Sequence, residues 1–336
     1  MTSSSARASS GTSPKPSVVE LASFEALEAC VAGRDADVFI AYGASTPRKD
    51  EPCPLPRIAA APVSDTFKVS DTFEVGEWER TWSDDAYAAA VEEVRAAIAR
   101  GDVYQVNLVQ HLSAPFRGEP HALAQALGPL HAQTFAGDGF AIVSASPELF
   151  LARRGDRLWT MPIKGTRPLG EDVDDAKDAA EHVMIVDLER NDLSRVCEPG
   201  SVRWPELMAQ RELAGVTHLV STVEGRLRPG VGLAEILHAT FPGGSITGAP
   251  KLAAVDQIAR LEPVGRGASM GALGRVRRNG DFELALTIRT FAVADGRIHL
   301  WVGGGITWGS DPEAEIEESW VKARPLLAAV GGLVPV

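Results

Sequence analysis

The stretch from Phe282 to Val302 constrains the fold more than any other. Two apolar runs, Phe282 to Val293 and Arg297 to Val302, flank the dipeptide Asp295-Gly296. An Asp-Gly pair tolerates positive φ at both positions, so so short a connection between strand-forming runs makes a tight antiparallel hairpin. Further strand patterns lie at Val103 to Leu112, Phe140 to Ser144, Glu148 to Arg153 and Thr217 to Glu224. Helical periodicity marks residues 173–190, 232–240, 250–261 and 312–323. Ser83-Asp84-Asp85 caps an alanine-rich helix that runs to about Arg100. Strands cluster here rather than alternating one for one with helices. The expected class is therefore α+β with antiparallel pairing, not a parallel βαβ sheet.

The pattern is weaker at the front. Residues 1–17 are Ser-rich and are expected to form a disordered tail. Structure begins faintly at Val18 to Tyr42 and meets a proline-rich connector, Pro47 to Pro62. The expected division is a small N-terminal region, 18–82, and a main domain, 83–336. The net charge of -12 and the absence of a basic run argue against nucleic acid. Cys30, Cys53 and Cys197 form no C-x-x-C pair, which suits structural thiols in a reducing compartment. No apolar stretch reaches membrane-spanning length, and the tail lacks the apolar segment of a secretory signal, so the expected location is cytoplasmic.

Four segments carry chemistry. Met161 to Pro168 sets Lys164 in a turn bounded by Pro162, Gly165 and Pro168 and beside Arg167. Such a lysine is either a solvated charge or a nucleophile. Burial and the Arg167 charge are both expected to lower its pKa toward the neutral form that attack requires. Glu181 falls in helical register with Met184, Ile185 and Leu188, on an apolar stripe, where a carboxylate needs a salt-bridge partner or a cation. After Asp311-Pro312, Glu315, Glu318 and Lys322 share one helical face. That face is either solvated or offers hard oxygen ligands and a cation to a small anion with Mg²⁺. Phe241 to Lys251 is a glycine-rich loop running into a helix, of the kind that aims amides at an anion. It lacks the Lys-Ser/Thr of a Walker motif, and Gly265-Arg266-Gly267 has the wrong spacing for a dinucleotide fingerprint. Arg289 projects opposite Leu284, Leu286 and Ile288 in a two-residue period. It is either an ordinary strand arginine or a bidentate grip on a carboxylate.

Several motifs follow one another in order over residues 83–330. They are Ser146-Pro147-Glu148, Pro162 to Arg167, Glu181-His182 through Asp187 to Asp192, His218 to Val223, the glycine-rich loop, Ile288-Arg289-Thr290 and Gly303-Gly304-Gly305-Ile306. In this the chain resembles the chorismate-utilising enzymes, which comprise anthranilate, aminodeoxychorismate, isochorismate and salicylate synthases. The resemblance implies two antiparallel-rich sheets packed together with flanking helices, chorismate as substrate and dependence on Mg²⁺. Gln105 stands where the water-adding members place a lysine base, and glutamine cannot take a proton from water. Lys164 stands where anthranilate synthases have alanine and aminodeoxychorismate synthases have a lysine, so the resemblance is to the latter branch.

That branch implies amination of chorismate at C4 to 4-amino-4-deoxychorismate, the precursor of para-aminobenzoate and folate. Lys164 would add at C2, Glu148 would protonate the departing C4 hydroxyl, and His218 would orient the ring or handle a proton. Glu181 and Glu318, with Glu315 acting through water, would hold Mg²⁺ on the ring carboxylate. Ser245, Gly303 and Lys322 would contact that carboxylate, Arg289 the enolpyruvyl carboxylate, and Thr166, Gly304 and Arg275 complete the expected substrate-binding set. Ammonia would come from a separate glutaminase subunit, since Cys197 lacks a nucleophile turn. Three departures stand out. Arg275 occupies a position where relatives usually carry a substrate-holding tyrosine, the linker after Thr166 is short, and the reduced front region makes feedback by tryptophan unexpected. Anthranilate synthase component I and a non-catalytic chorismate-binding homologue are the alternative readings.

Overall fold

Asp295 and Gly296 have φ of 49° and 70°, and the turn they make sets Ala294 opposite Arg297. The hairpin is thus the two-residue type in which both central residues need positive φ. It belongs to a computed structural model that describes residues 17–47, 49–63, 72–128, 132–168, 176–213 and 216–331. For residues 166–168, 176–178, 213 and 216 the backbone alone is described. The serine-rich tail and most of the short linker lie outside these residues.

The strands form two sheets. The first is ten-stranded and runs Val19–Glu20, Ile58–Pro62, Ala36–Ile40, Ala272–Val276, Phe282–Leu286, Leu149–Arg154, Arg157–Met161, Val216–Arg226, Ile163–Pro168, with Arg203–Leu213 also paired to Val216–Arg226. The second is eight-stranded, in the order Gly248–Ala249, Gln105–Gly118, Arg297–Ile306, Thr290–Ala294, Phe140–Ser144, Gln133–Gly137. Phe73–Val75 and Glu79–Arg80 add to its long strand. The pairings are antiparallel, as the class expected from sequence requires. The front segment joins the first sheet directly, because Ala36–Ile40 pairs along its length with Ala272–Val276.

The second sheet is buried on both faces. Ala292 and Ala294 enter the large core cluster with Leu284, Leu286 and Phe150 of the first sheet. Their neighbours Phe291 and Val293 point the other way, into a second cluster with Trp320 and Leu326 of the helix Pro312–Ala329. Each fully buried phenylalanine in these clusters contributes roughly 1.5–3 kcal/mol of transfer free energy. Two-sided burial erases alternation, and here it hid a break. The single strand expected over Phe282 to Val293 is two strands, Phe282–Leu286 in the first sheet and Thr290–Ala294 in the second. The chain crosses between them at Thr287, Ile288 and Arg289.

Helices follow the sequence closely. Ser83 caps Asp84–Ala99 by accepting from the Ala86 amide, and Asp311 caps Pro312–Ala329 by accepting from the Ala314 amide. Ala176–Ser194, Leu233–Thr240 and Lys251–Leu261 cover the other expected segments.

Candidate active site

Two crossings between the sheets lie side by side and carry the first two site residues. One leads from Phe140–Ser144 to Leu149–Arg154 and holds Glu148; the other leads from Phe282–Leu286 to Thr290–Ala294 and holds Arg289. They are stitched together by the Leu286 amide donating to the Glu148 carbonyl at 3.0 Å and the Ala145 amide donating to the Arg289 carbonyl at 3.1 Å. Arg289 is therefore not a mid-strand residue. Its φ of 49° is left-handed, a conformation that costs a non-glycine residue of order 1–3 kcal/mol and recurs at functional sites. Burial pushes its guanidinium pKa down, against the attraction of Glu148.

Glu148 is buried, and burial pushes its carboxyl above the usual range although Lys164, the Ser245 hydroxyl, the Ile163 amide and Arg289 oppose the shift. An upward shift is the direction that favours a general acid.

Lys164 stands at an irregularity. The register of Ile163–Pro168 against Val216–Arg226 slips between Lys164 and Arg167, where Gly165 takes φ 62°. The Lys164 ammonium reaches the Glu181 carboxylate at 2.8 Å. Burial alone would lower its pKa, but Glu181, Glu148 and Glu318 outweigh burial and the net shift is upward. This overturns the lowered pKa expected from sequence. Three carboxylates converge on the amine, a relation between distant segments that the local Pro-Ile-Lys-Gly-Thr-Arg run does not reveal. The Arg167 side chain lies outside the described residues.

Glu181 shows the complementary shift. Burial would raise it, but Lys164 and the Gln105 amide, which donates to it at 2.6 Å, hold it below the usual carboxylate range. Gln105 Oε1 is buried and receives no hydrogen bond among the described residues. His218 is held through Nδ1, 2.7 Å from the Gly165 carbonyl, and burial pushes its pKa down.

The floor of the site is Gly303-Gly304-Gly305. At Gly303 an added Cβ would lie 1.8 Å from the Leu108 carbonyl, so two strands approach as closely as only glycine permits. A Cβ on Gly304 would meet Glu318 Oε1 at 3.1 Å, Glu315 Oε2 at 3.4 Å and Lys322 Nζ at 3.4 Å. On Gly305 it would meet Glu181 Oε1 at 2.6 Å. Carboxylates from two helices thus overhang bare backbone, a cradle of hard oxygens suited to a small dication. Among the described residues no three acidic or histidine side chains already stand close enough to hold a metal ion. Glu181 is turned to Lys164, and Glu318 to Lys322 at 2.7 Å, while Lys322 also donates to the Gly303 carbonyl at 2.8 Å.

The glycine-rich loop behaves differently from a plain anion cradle. Its Gly244 amide is taken internally, donating to Glu189 Oε1 at 2.8 Å, and the hydroxyl of the next residue, Ser245, pulls the Glu148 pKa down. Arg275 lies on Ala272–Val276 and grips Asp37 through two nitrogens, at 2.7 and 3.2 Å. The Thr166 side chain lies outside the described residues. Glu148, Lys164, Glu181, Ser245 and Arg289 come together, and so do Gly303, Gly304, Glu315, Glu318 and Lys322. Glu189 escaped the sequence reading, since one acidic residue among the charges of Asp187 to Asp192 carries no sign that it turns inward.

A model of chorismate-binding enzymes matches residues 10–328. The chain belongs to this family. This chorismate-binding enzyme is 41% identical over 269 residues to anthranilate synthase component 1 of Streptomyces coelicolor, covering 75% of the chain and 53% of that protein. It is 39% identical over 282 residues to aminodeoxychorismate synthase component 1 of Klebsiella aerogenes, covering 80% and 61%. The chain thus spans little more than half the length of these curated relatives. Among solved structures, anthranilate synthase component I of Streptococcus pneumoniae superposes with a TM-score of 0.77 at 26% identity, over 87% of this chain and 80% of that one. The two-sheet α+β architecture is the one shared by these chorismate-utilising enzymes. Among the described residues no helix is long and apolar enough to cross a membrane.

Proposed function

We propose that this chorismate-binding enzyme aminates chorismate at C4 with ammonia, giving 4-amino-4-deoxychorismate. One observation carries the reading: a largely buried lysine, Lys164, stands beside Glu148, a buried carboxyl whose pKa burial pushes above the usual range. In the proposed sequence Lys164, once deprotonated, forms a bond to C2 of the ring. The double bonds shift, the C4–O bond breaks, and Glu148 gives its proton to the departing hydroxyl, which leaves as water. Ammonia then bonds to C4, the double bonds shift back, and the lysine amine is expelled.

Arg289 suits the enolpyruvyl carboxylate, and Lys322, Ser245 and the backbone at Gly303 suit the ring carboxylate. Gln105 supports amination over hydration. Its buried Oε1 suits an incoming N–H donor such as ammonia, and a carboxamide cannot deprotonate water. His218, fixed through the Gly165 carbonyl, sits beside Lys164 to orient the ring. Glu181, Glu318 and Glu315 would hold Mg²⁺, which when bound supplies positive charge for the ring carboxylate and offsets the acidic cluster. Ammonia is assigned to a separate glutaminase subunit, in keeping with relatives named as component 1.

The sister reaction, anthranilate formation, is favoured by the 41% identity to an anthranilate synthase component. Incubating the purified chain with chorismate, Mg²⁺ and an ammonium salt separates the readings. The expected product retains its enolpyruvyl group by mass spectrometry. Fluorescent anthranilate would move the assignment to the sister enzyme, and unconsumed chorismate would leave a binding protein.

A further inference from the structure

Glu189 is buried on the helix Ala176–Ser194, two turns beyond Glu181, and takes no part in the reaction proposed above. Its surroundings do not favour a charge. Burial raises its pKa, the Asp192 carboxylate raises it further, and Glu148 adds to the same effect. Lys251 is the cation nearest to hand, yet its ammonium is engaged by Asp192 and by the Thr240 carbonyl, the latter at 2.8 Å. Among the described residues the hydrogen bond made to Glu189 comes from the Gly244 amide, at 2.8 Å. A buried carboxylate with no cation of its own is a net cost that an apolar residue of similar size would avoid. Its retention calls for a return elsewhere.

The return lies one residue along the loop. Gly244 is pressed onto this helix so closely that an added Cβ would lie 2.7 Å from Leu188 Cδ2 and 2.9 Å from Glu189 Oε1. Ser245 follows in the same short turn, Gly244–Ile246, and its hydroxyl is close enough to Glu148 to pull that carboxyl's pKa down. Glu189 and the Gly244 amide therefore anchor the turn that carries the Ser245 hydroxyl to the Glu148 carboxyl. We infer that Glu189 is a positioning residue that tethers the glycine-rich loop through the Gly244 amide and so fixes the Ser245 hydroxyl on the Glu148 carboxyl. The inference rests on the reading of Glu148 as the acid. Displacement of a supporting group by about 1 Å is enough to slow catalysis markedly, so a tether on the loop has a measurable effect.

The test is a double-mutant cycle with a reaction-independent readout. Glu189→Met keeps the size but removes the acceptor; Glu189→Gln keeps an oxygen that still accepts from Gly244. The expected result is a fall in kcat of about tenfold for Glu189→Met in the natural background but less than about twofold in a Ser245→Ala background, because the tether acts through that hydroxyl. Glu189→Gln should restore kcat to within about threefold. Amide hydrogen exchange at Gly244 should be slow in the natural protein and in Glu189→Gln and at least about tenfold faster in Glu189→Met. Where methionine impairs folding, Glu189→Asp supplies the same comparison by keeping the charge and shortening the reach. An equal loss of kcat with and without Ser245, or an unchanged Gly244 exchange rate in Glu189→Met, overturns the proposal. If the natural chain forms no product, the functional reading fails while the exchange experiment still decides the tether.

Discussion

Lys164 Nζ lies 2.8 Å from Glu181 Oε1, and the two residues hold each other in their charged forms, the lysine pKa moving up and the glutamate pKa down. A protonated amine has no lone pair with which to attack carbon. The proposed attack by Lys164 therefore requires that this ion pair be opened first.

Replacing Lys164 by alanine should lower the rate by at least about two orders of magnitude, a loss of roughly 3 kcal/mol of transition-state stabilisation. Chorismate affinity should change little, because in the proposed reading Arg289 and Lys322 still hold the two carboxylates. Intact-protein mass spectrometry of the natural chain with chorismate and no ammonia should show an adduct on the peptide containing Lys164, absent from the alanine variant. A near-normal rate and the same product from Lys164→Ala would rule out covalent catalysis.

Glu318→Gln should abolish Mg²⁺-dependent turnover. The amide conserves volume while removing a ligand charge. Glu318 is exposed and pairs with the exposed Lys322, so the unfolding temperature should hold. Calorimetric titration with Mg²⁺ alone should show weakened binding. Undiminished activity with an unchanged titration would reject Glu318 as a ligand.

Glu189 sets a pH dependence of stability. Its folded pKa is raised above the ordinary 4.5, so its stabilising share is full below that value and is lost as pH rises through the folded pKa. Glu189→Gln removes this titration. The variant should be more stable than the natural chain at pH 8, by about 1–3 kcal/mol, with the gap closing toward pH 4. Denaturant unfolding at the two pH values checks it, and a gap that widens on acidification would contradict the sign.

Buried histidines act in the opposite direction, His111, His182 and His299 most strongly. Burial lowers His111 to about 3, with His299 adding to the shift, and lowers His182 and His299 to about 4. Each binds a proton more readily in the unfolded chain, so the stability they contribute is full above about 6.5 and is lost as pH falls toward 4. Each group contributes a slope of up to about 1.4 kcal/mol per pH unit. His299→Asn, which removes one such group from the stacked His111, His299 and Trp301 rings, should flatten the acid limb of the stability curve measured in urea.

Most local signals in the sequence were accurate and long-range ones were not; the exception is Lys164, expected in a turn and found in the strand Ile163–Pro168, where the irregularity at Gly165 is absorbed without ending the pairing. Asp295-Gly296 and Ser83 announce their turn and cap because the chemistry that fixes them lies within four residues. The placement of Glu181 on an apolar stripe was equally legible, and its need for a partner followed from burial alone. The break at Arg289 was hidden, since Thr290–Ala294 is buried on both faces and continues the apolar run before it. Arg203–Leu213 went unread for another reason. Its register slips twice, Met208 takes φ 53°, and much of the strand is exposed, so neither alternation nor hydrophobicity survives. The direction of the Lys164 shift and the inward turn of Glu189 depend on which segments meet across the sheets. No window of sequence around either residue contains that information.

The two stitched crossings have a mechanical consequence. Glu148 and Arg289 ride on two of the covalent links between the sheets, and those two links are hydrogen-bonded to each other. The position of each residue is therefore set by both sheets at once, and a substitution that disturbs one crossing is passed on to the other.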